Sequence, residues 1–342
     1  MVDFKAFISG CAGTSLSDHE RAFFAEERPC GLILFARNCK SVAQVRALIA
    51  DFQDAVESDE ALVLIDQEGG RVQRLHPPQW RQMPPARVYG DLYLCDPEGA
   101  RAAAFAGARL IAAELREAGI TVNCTPVLDV PEGGAHDIIG DRAFSFDPDI
   151  VSDLGCAVVE GTLAGGVLPV IKHVPGHGRA RADSHLTLPR IDASPEELVA
   201  VDFRPFMAIC HAPLAMTAHV LLPAFDDERP ASVSPVIMGE VIRELIGLTG
   251  LVMSDDIGMA ALGGPFASRA AAVIDAGCDV ALQCSGELEE MREVAKAVPP
   301  LDGESAERFV SAIAELNEPQ CFDADQALVL VTEAARGNRG VT

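Results

Sequence analysis

Short apolar runs alternate with longer amphipathic segments from one end of the chain to the other. The runs are nearly continuous in apolar residues, which is typical of strands that are covered on both faces. The predicted strands are Phe4–Ser9, Gly31–Phe35, Ala61–Asp66, Thr121–Leu128, Val167–His173, Leu214–His219, Leu251–Ser254 and Asp279–Gln283.

The segments between the runs carry apolar residues three or four positions apart, the spacing of one helix face. Val42–Ala55 and Ala100–Ala118 are two examples. Ser41 precedes the first of them, and Ser194-Pro195-Glu196-Glu197 has proline at the first helical position with acids in the first turn. Both patterns are typical of helix N-termini. Gly119 follows a predicted helix, where a left-handed residue is favoured.

Eight strand–helix repeats in 342 residues predict an α/β fold, namely a single (β/α)8 barrel of the TIM type. A doubly wound open sheet has the same alternation and is the competing architecture. No Gly-, Ser- or Pro-rich linker divides the chain, so we predict one catalytic barrel domain over residues 1–342. Beyond Leu301 we predict extra C-terminal helices at Ala306–Leu316 and Ala324–Ala335, packed outside the barrel.

The charge and cysteine content of the chain make several kinds of partner and location unfavourable. A formal net charge of -24 repels nucleic acid and anionic lipid, so we expect neither nucleic acid nor membrane as a partner. No apolar run reaches the about 20 residues of a membrane span, and Met1–Lys5 lacks the pattern of a secretory signal. The 10 cysteines contain no CxxC pair, which favours buried free thiols. We expect a cytoplasmic protein, with no obligate protein partner evident.

Charged and titratable residues gather where consecutive predicted strands end. In a parallel barrel these ends share one face, and that face carries the active site. The residues are Asp66-Gln67-Glu68-Gly69-Gly70-Arg71, Asp129, Gly140-Asp141-Arg142, Lys172-His173, Asp183-Ser184-His185, Thr217-Ala218-His219 and Ser254-Asp255-Asp256. The pattern predicts an active site at this face.

Several of these motifs together resemble glycoside hydrolase family 3, and within it the single-domain β-N-acetylhexosaminidases. The motifs are Ile65-Asp66-Gln67-Glu68-Gly69-Gly70-Arg71-Val72, Lys172–Gly178 with the downstream Asp183-Ser184-His185, Met216-Thr217-Ala218-His219, and Ser254-Asp255-Asp256. They stand in the family's order, and the similarity extends from Gly31 to Ser285. The resemblance implies an enzyme that removes a terminal β-linked N-acetylglucosamine.

The resemblance implies catalytic roles for three residues. Asp255 matches the family's nucleophile, a carboxylate that forms a covalent glycosyl-enzyme and gives net retention. His185 matches the family's acid/base, and an imidazole with an ordinary pKa of about 6.5 titrates where this step needs it. Asp183 would orient the ring of His185 and stabilise its protonated form. We interpret the neighbouring Asp256 as a helix cap.

A second set of residues matches the family's sugar-binding residues. A carboxylate can accept hydrogen bonds from two sugar hydroxyls, and Arg and Lys supply donors. The set is Asp66, Arg74, Arg142, Lys172 and His173. Taken singly, each of these residues could instead be a salt-bridge partner at the barrel rim.

Three further polar residues near the same face are interpreted as structural. We interpret His177 as hydrogen-bonded within its own loop and His219 as a residue behind the sugar contacts. Asp129 is interpreted as a carboxylate at the barrel rim.

The resemblance also implies a small carbohydrate substrate. This would be a muropeptide-like fragment of the cell wall, in which anhydro-N-acetylmuramic acid carrying peptide is the leaving group, and the role would be peptidoglycan recycling. No cofactor and no metal are expected. The chain departs from the family after Gly178, where Arg179-Ala180-Arg181 stands in place of the frequent Asp or Asn.

Other functions stay open at this point. A phosphorylase on the same scaffold fits an imidazole acid/base, which would not repel phosphate as a carboxylate does, and Arg179 and Arg181 could attract phosphate. A metal-dependent barrel hydrolase fits the supply of histidines, although no His-Xaa-His lies on the first strand. The chain is too short for the family's two-domain β-glucosidases. An inactive sugar-binding barrel is unfavourable because both catalytic positions are filled.

Overall fold

Eight parallel strands close into a barrel in the computed structural model, which describes residues 3–184 and 186–337. In chain order the strands are β1 (Lys5–Ser9), β2 (Pro29–Leu34), β3 (Leu62–Ile65), β4 (Gln67–Gly69), β5 (Val72–Gln73), β6 (Val122–Asn123), β7 (Leu168–Val174), β8 (Leu214–Thr217), β9 (Leu251–Asp256) and β10 (Val280–Gln283). The barrel order is β1-β2-β3-β6-β7-β8-β9-β10, and β10 pairs with β1. The predicted barrel is confirmed and the open-sheet alternative is wrong.

Helices connect the barrel strands and cover their outer side. They are α1 (Asp18–Glu27), α2 (Val42–Val56), α3 (Arg87–Tyr93), α4 (Pro97–Ala118), α5 (Pro148–Ala164), α6 (Pro195–Glu197), α7 (Arg204–Ala208), α8 (Phe266–Asp275), α9 (Leu288–Ala297), α10 (Gly303–Ala314) and α11 (Ala324–Gly337). Leu198–Asp202 and Ile237–Leu245 are π-helical. The helices α10 and α11 confirm the two extra C-terminal helices, and α11 packs against α3 and α4.

The capping residues seen in the sequence explain where several helices begin and end. The Ser41 hydroxyl accepts the Gln44 backbone N–H at 3.3 Å at the start of α2. The Ser194 and Glu197 side chains each accept the other's backbone N–H at the start of α6. Gly119 ends α4 with φ of 85°, a conformation that glycine adopts without steric cost.

The strands are largely buried because both faces of the barrel wall are covered. All seven residues of β7 are buried, and β7 pairs with β6 on one side and β8 on the other, for example Val170 with Leu214. The interior of the barrel and the inner faces of the helices form one continuous apolar core. Within residues 3–184 and 186–337, no helix has the length and apolar character to cross a bilayer.

Two local features differ from the prediction. The predicted strand Thr121–Leu128 is much shorter, since β6 covers only Val122–Asn123, and Pro126 has no N–H for a strand ladder. Directly after β3, the antiparallel pair β4–β5 was not predicted. Gly69 allows it, because a Cβ at this position would lie 2.4 Å from the Pro84 carbonyl oxygen.

Candidate active site

A cavity of about 580 Å³ opens at the carboxyl ends of the barrel strands. This size suits a small ligand such as one sugar ring. Its walls include six of the residues predicted from the sequence: Asp66, Arg74, Arg142, Lys172, His173 and Asp255. The barrel therefore brings together side chains that lie far apart in the chain.

Five charged side chains, which we call the charge cluster, form one side of the site: Asp66, Glu68, Arg74, Arg142 and Lys172. The Lys172 Nζ lies 2.8 Å from Asp66 Oδ1 and 2.6 Å from Glu68 Oε1. Arg142 donates from Nε and one terminal nitrogen to the two Glu68 oxygens, at 2.9 and 2.8 Å. Arg74 donates to Asp66 Oδ2 at 3.0 Å. The cluster is largely buried, and the Lys172 side chain is only 2% exposed.

The members of the charge cluster hold one another in their ionised forms. Burial alone would raise the pKa of Asp66, but Lys172 and Arg74 bring it well below its ordinary value. Burial likewise acts to raise the pKa of Glu68, and Arg142 and Lys172 lower it to about 2. Burial would lower the pKa of Lys172, whereas the two carboxylates raise it above its ordinary value. At neutral pH all of these groups carry their charge.

Asp255 lies near the end of β9 with its half-buried carboxylate in the cavity wall. Its Oδ1 accepts the Asp256 backbone N–H at 2.8 Å. Burial acts to raise the pKa of Asp255, but His173, His219 and this hydrogen bond lower it below its ordinary value. The structure therefore presents an ionised carboxylate to the cavity, as a nucleophile requires.

His173 is held from behind by Asp129. The ring Nδ1 lies 2.7 Å from Asp129 Oδ2, and Asp129 Oδ1 accepts the His177 backbone N–H at 2.7 Å. The interpretation of Asp129 as a rim carboxylate is wrong, because its side chain is fully buried. A buried carboxylate needs hydrogen-bond donors, and Asp129 meets the His173 ring near the end of β7 and the His177 backbone N–H that follows this strand.

The two other histidines near the site are both buried and hydrogen-bonded. His177 Nε2 lies 3.1 Å from the Ser184 hydroxyl, a contact within one loop, and burial lowers the pKa of His177 to about 4. His219 is buried behind the cavity wall, with Nδ1 2.6 Å from the Ser232 hydroxyl and Nε2 3.1 Å from the Asp256 carbonyl oxygen.

Asp256 is not a helix cap, so that interpretation is wrong. The next helix, α8, begins only at Phe266. Asp256 Oδ1 instead accepts the backbone N–H groups of Gly258 at 2.9 Å and Cys284 at 3.2 Å. Its carboxylate thus ties the turn after β9 to the end of β10, and burial raises the pKa of Asp256.

Asp183 lies on the loop between β7 and α6. Its carbonyl oxygen accepts the backbone N–H groups of Leu186 and Thr187 at 2.9 and 3.0 Å. The next carbonyl, that of Ser184, accepts the Ala261 N–H at 3.3 Å, which places this loop beside the segment that follows β9. His185 lies outside the described residues, so the catalytic roles of Asp183 and His185 stay predictions.

Some residues of the site received no role from the sequence. Glu68 stood in a recognised motif, but its partners Arg142 and Lys172 are distant in sequence. Arg37 reaches the cavity from the segment after β2 and donates to the Cys284 carbonyl oxygen at 2.5 Å. Met259, Cys284 and Ser285 also line the cavity. Their only sequence signal was their position after a predicted strand.

The site offers limited support for the two alternative chemistries. Among the described residues, no group of three or more His, Cys, Asp or Glu side chains is arranged to hold a metal ion. Arg179 is paired with carboxylates of Asp202 and Glu132, at 2.7 and 3.3 Å. Its guanidinium is therefore already engaged, which weakens the argument that it attracts phosphate.

Known proteins resemble this chain over nearly its whole length. Residues 5–315 match the family described as "Glycosyl hydrolase family 3 N terminal domain". A Beta-hexosaminidase of Xanthomonas campestris pv. campestris is 40% identical over 294 residues, 84% of this chain and 87% of that protein. A Beta-hexosaminidase of Alkalilimnicola ehrlichii is 40% identical over 307 residues, which are 89% of this chain and 87% of that protein.

Solved structures agree with the sequence comparison. The crystal structure of NagZ from Neisseria gonorrhoeae in complex with N-trifluoroacetyl-D-glucosamine has a TM-score of 0.87 at 29% identity, and covers 98% of this chain and 99% of that one. A Beta-N-acetylhexosaminidase from Beutenbergia cavernae has a TM-score of 0.75 at 26% identity, with 96% of each chain covered. The chain therefore belongs to glycosyl hydrolase family 3, where it groups with the beta-hexosaminidases, and it is a glycoside hydrolase.

Proposed function

We propose that this chain is a retaining exo-β-N-acetylglucosaminidase with Asp255 as its nucleophile. The observation that carries the proposal is the ionised Asp255 carboxylate in a cavity of about 580 Å³ that also presents Asp66, Arg74 and Lys172. A single terminal sugar ring fits such a cavity. The N-trifluoroacetyl-D-glucosamine bound to gonococcal NagZ supports an N-acetylglucosamine unit as that ring.

The charged and polar side chains that line the cavity beside Asp255 can bind the sugar hydroxyls. Asp66 accepts hydrogen bonds from Lys172 and Arg74, and its carboxylate retains lone pairs for hydroxyl groups. Asp129 binds the Nδ1 of His173 and the ring lines the cavity, so its other nitrogen can form a hydrogen bond with a sugar hydroxyl. These groups are fixed by ion pairs before substrate enters, which keeps the cost of ordering them low.

The reaction would proceed in two displacements. An Asp255 carboxylate oxygen attacks C1, the bond from C1 to the aglycone oxygen breaks, and His185 gives that oxygen a proton. Water then loses a proton to His185 and attacks C1, and the bond from C1 to Asp255 breaks. Both residues return to their starting states, and the configuration at C1 is retained.

The pKa values of the carboxyl groups at the cavity support a proton donor that lies on a loop and not on the barrel wall. Asp66, Glu68 and Asp255 all have lowered pKa values, so none of them stores a proton near neutral pH. Asp256 is the exception, since burial raises its pKa. Its Oδ1, however, already accepts two backbone N–H groups. We therefore assign the acid/base role to the loop that carries Asp183 and His185.

Replacement of the nucleophile tests the proposal most directly. The Asp255→Ala variant should lose turnover of nitrophenyl N-acetylglucosaminide. A 5-fluoro N-acetylglucosaminyl fluoride, which slows both displacements but keeps a good leaving group, should label the wild-type peptide that contains Asp255. Activity within tenfold of wild type, about 1.4 kcal/mol of barrier, or a label on another peptide would refute the role.

A leaving-group series separates the two candidates for the acid. The His185→Ala variant should lose kcat/KM strongly on alkyl and phenyl glycosides and little on dinitrophenyl glycosides, because only poor leaving groups need a proton. Asp256→Asn is the matched control and should show no such dependence. If the dependence follows Asp256 instead, the assignment of His185 is wrong.

The natural substrate is a finer part of the proposal. We propose a cell-wall fragment whose leaving group is anhydro-N-acetylmuramic acid carrying peptide, in a peptidoglycan-recycling role. Aryl glycosides that differ only at the 2-position would test the need for the acetamido group. Reaction in phosphate buffer, analysed for sugar 1-phosphate, would reveal phosphorolysis in place of hydrolysis.

The cellular setting and domain organisation also stay proposals. All 10 cysteines are free thiols, which supports a reducing compartment such as the cytoplasm. The continuous apolar core supports one catalytic domain over residues 1–342. Limited proteolysis that released a stable, separately folded fragment would contradict the single domain.

A further inference from the structure

Arg179 joins the loop between β7 and α6 to two neighbouring parts of the fold. Its Nε lies 2.7 Å from Asp202 Oδ2, and a terminal nitrogen lies 3.3 Å from Glu132 Oε1. Asp202 is the last residue of the π-helical segment Leu198–Asp202. The Arg179 side chain is only 13% exposed and that of Asp202 only 2%. This is a buried ion pair, unlike the solvated pairs elsewhere on the surface.

Asp202 depends on Arg179 for its charge. Its Oδ1 is buried and has no hydrogen-bond partner among the described residues. Burial raises the pKa of Asp202 to about 6, which Arg179 opposes and the nearby carboxylate of Asp129 reinforces. The backbone of Gly176 packs directly on Asp202, since a Cβ there would lie 3.0 Å from the Asp202 Cβ.

The turn formed by residues 177–180 connects Arg179 to the segment that precedes position 185. The Ala180 N–H donates to the His177 carbonyl oxygen at 3.0 Å, and the His177 N–H donates to Asp129. The His177 ring then contacts the Ser184 hydroxyl at 3.1 Å. A shift of this turn would therefore change the position of Ser184 and of its neighbour Asp183.

We propose that Arg179, through its ion pair with Asp202, is a positioning residue for the acid/base step. It holds the 177–180 turn, and through His177 the Asp183–Ser184 segment, in the place that proton transfer requires. Arg179 lies outside the described lining of the sugar cavity, so it acts on the reaction through other residues. The inference rests on the proposed function, in which Asp183 and His185 handle the proton.

The test compares two arginines of the same loop. Arg179→Ala should lower kcat/KM for phenyl and methyl N-acetylglucosaminides by roughly 10- to 100-fold, the scale of a misplaced acid. For the dinitrophenyl glycoside, kcat/KM should stay within about twofold, because that leaving group needs no proton. The control, Arg181→Ala, removes an equal charge from an exposed side chain and should leave both values unchanged.

Two further readouts distinguish positioning from a general loss of structure. Azide attacks the glycosyl-enzyme without a general base, so it should raise kcat of Arg179→Ala on the dinitrophenyl glycoside and yield the β-glycosyl azide. Arg179→Lys, which keeps the charge, should recover most of the activity. If Arg179→Ala does not fold, Asp202→Asn removes the same ion pair and should give the same leaving-group pattern.

Equal losses on good and poor leaving groups, or no loss on either, would overturn the positioning role. The double variant of Arg179→Ala with Asp202→Asn should be no worse than either single variant; additive losses would also contradict the proposal. His185→Ala serves as the reference. If His185→Ala shows no dependence of kcat/KM on the leaving group, the proposed function fails. If His185→Ala shows this dependence but Arg179→Ala behaves like the wild type, only the positioning role of Arg179 is rejected.

Discussion

Replacing Glu68 by glutamine should destabilise the protein by about 3 kcal/mol at pH 7. The Glu68 side chain is 7% exposed and contacts Arg142 and Lys172 at 2.8 and 2.6 Å. These cations lower its pKa from 4.5 to about 2. Since one pKa unit corresponds to about 1.4 kcal/mol, the folded state gains about 3 kcal/mol from ionised Glu68. Glutamine has the same shape but lacks this charge.

The pH dependence of this loss follows from the direction of the shift. The pKa of Glu68 is lower in the folded than in the unfolded state, so its stabilisation is fully present above pH 4.5 and disappears as the pH falls towards 2. Urea unfolding of the wild type and of Glu68→Gln at several pH values gives the difference in their free energies of unfolding directly. It should be about 3 kcal/mol at pH 7 and should shrink steadily below pH 4.5.

A matched control is provided by an exposed carboxylate that also pairs with an arginine. Asp137 is 86% exposed and lies 3.1 Å from Arg71, so Asp137→Asn should cost less than about 1 kcal/mol. Two results would refute the reasoning on Glu68: a loss below about 1 kcal/mol at pH 7, or a loss that is as large at pH 3 as at pH 7.

Two further predictions concern the loop beside the site. The ring of His177, whose pKa burial lowers to about 4, should show no titration above pH 5 by NMR; a midpoint near its ordinary value of about 6.5 would mean that the ring is solvated. Gly178→Ala should lower both Tm and kcat, because its Cβ would lie 2.1 Å from the Val130 carbonyl oxygen. Gly239→Ala, with no atom within 4 Å of the new Cβ, is the control, and equal effects of the two changes would contradict the steric argument.

The barrel was predictable because its strands and helices leave separate local signals. Residues 168–174 form β7 and are buried throughout, and the apolar run at residues 167–171 indicates that strand in the sequence. The β4–β5 pair left no such signal, since Gly69 adopts its conformation, with φ of 99°, against Pro84 in a later segment. Local patterns reveal structure that local interactions determine, whereas this hairpin depends on a tertiary contact.

The errors around the site have the same physical origin. The sequence placed Asp256 correctly at the end of β9, whereas Asp129 lies six residues beyond the short strand β6. For neither residue could the sequence show which donors the carboxylate would meet. Asp129 accepts from His173 and His177, and Asp256 accepts from Cys284 at the end of β10. Strand-end position predicts membership of the active face, while the direction of a side chain depends on neighbours supplied by other strands.

The stability of the fold alone does not account for the charge cluster. Buried ion pairs are often no more stabilising than apolar side chains of similar volume, although removing one partner alone is costly. Burying Lys172 between Asp66 and Glu68 is therefore expected to give the folded state little more stability than leucine side chains at the same positions would give. Unlike apolar side chains, fixed charged groups can form hydrogen bonds with a ligand, and they need not reorganise when a neutral sugar replaces water in the cavity. Under the proposed function, the cluster therefore serves to bind the sugar rather than to stabilise the fold.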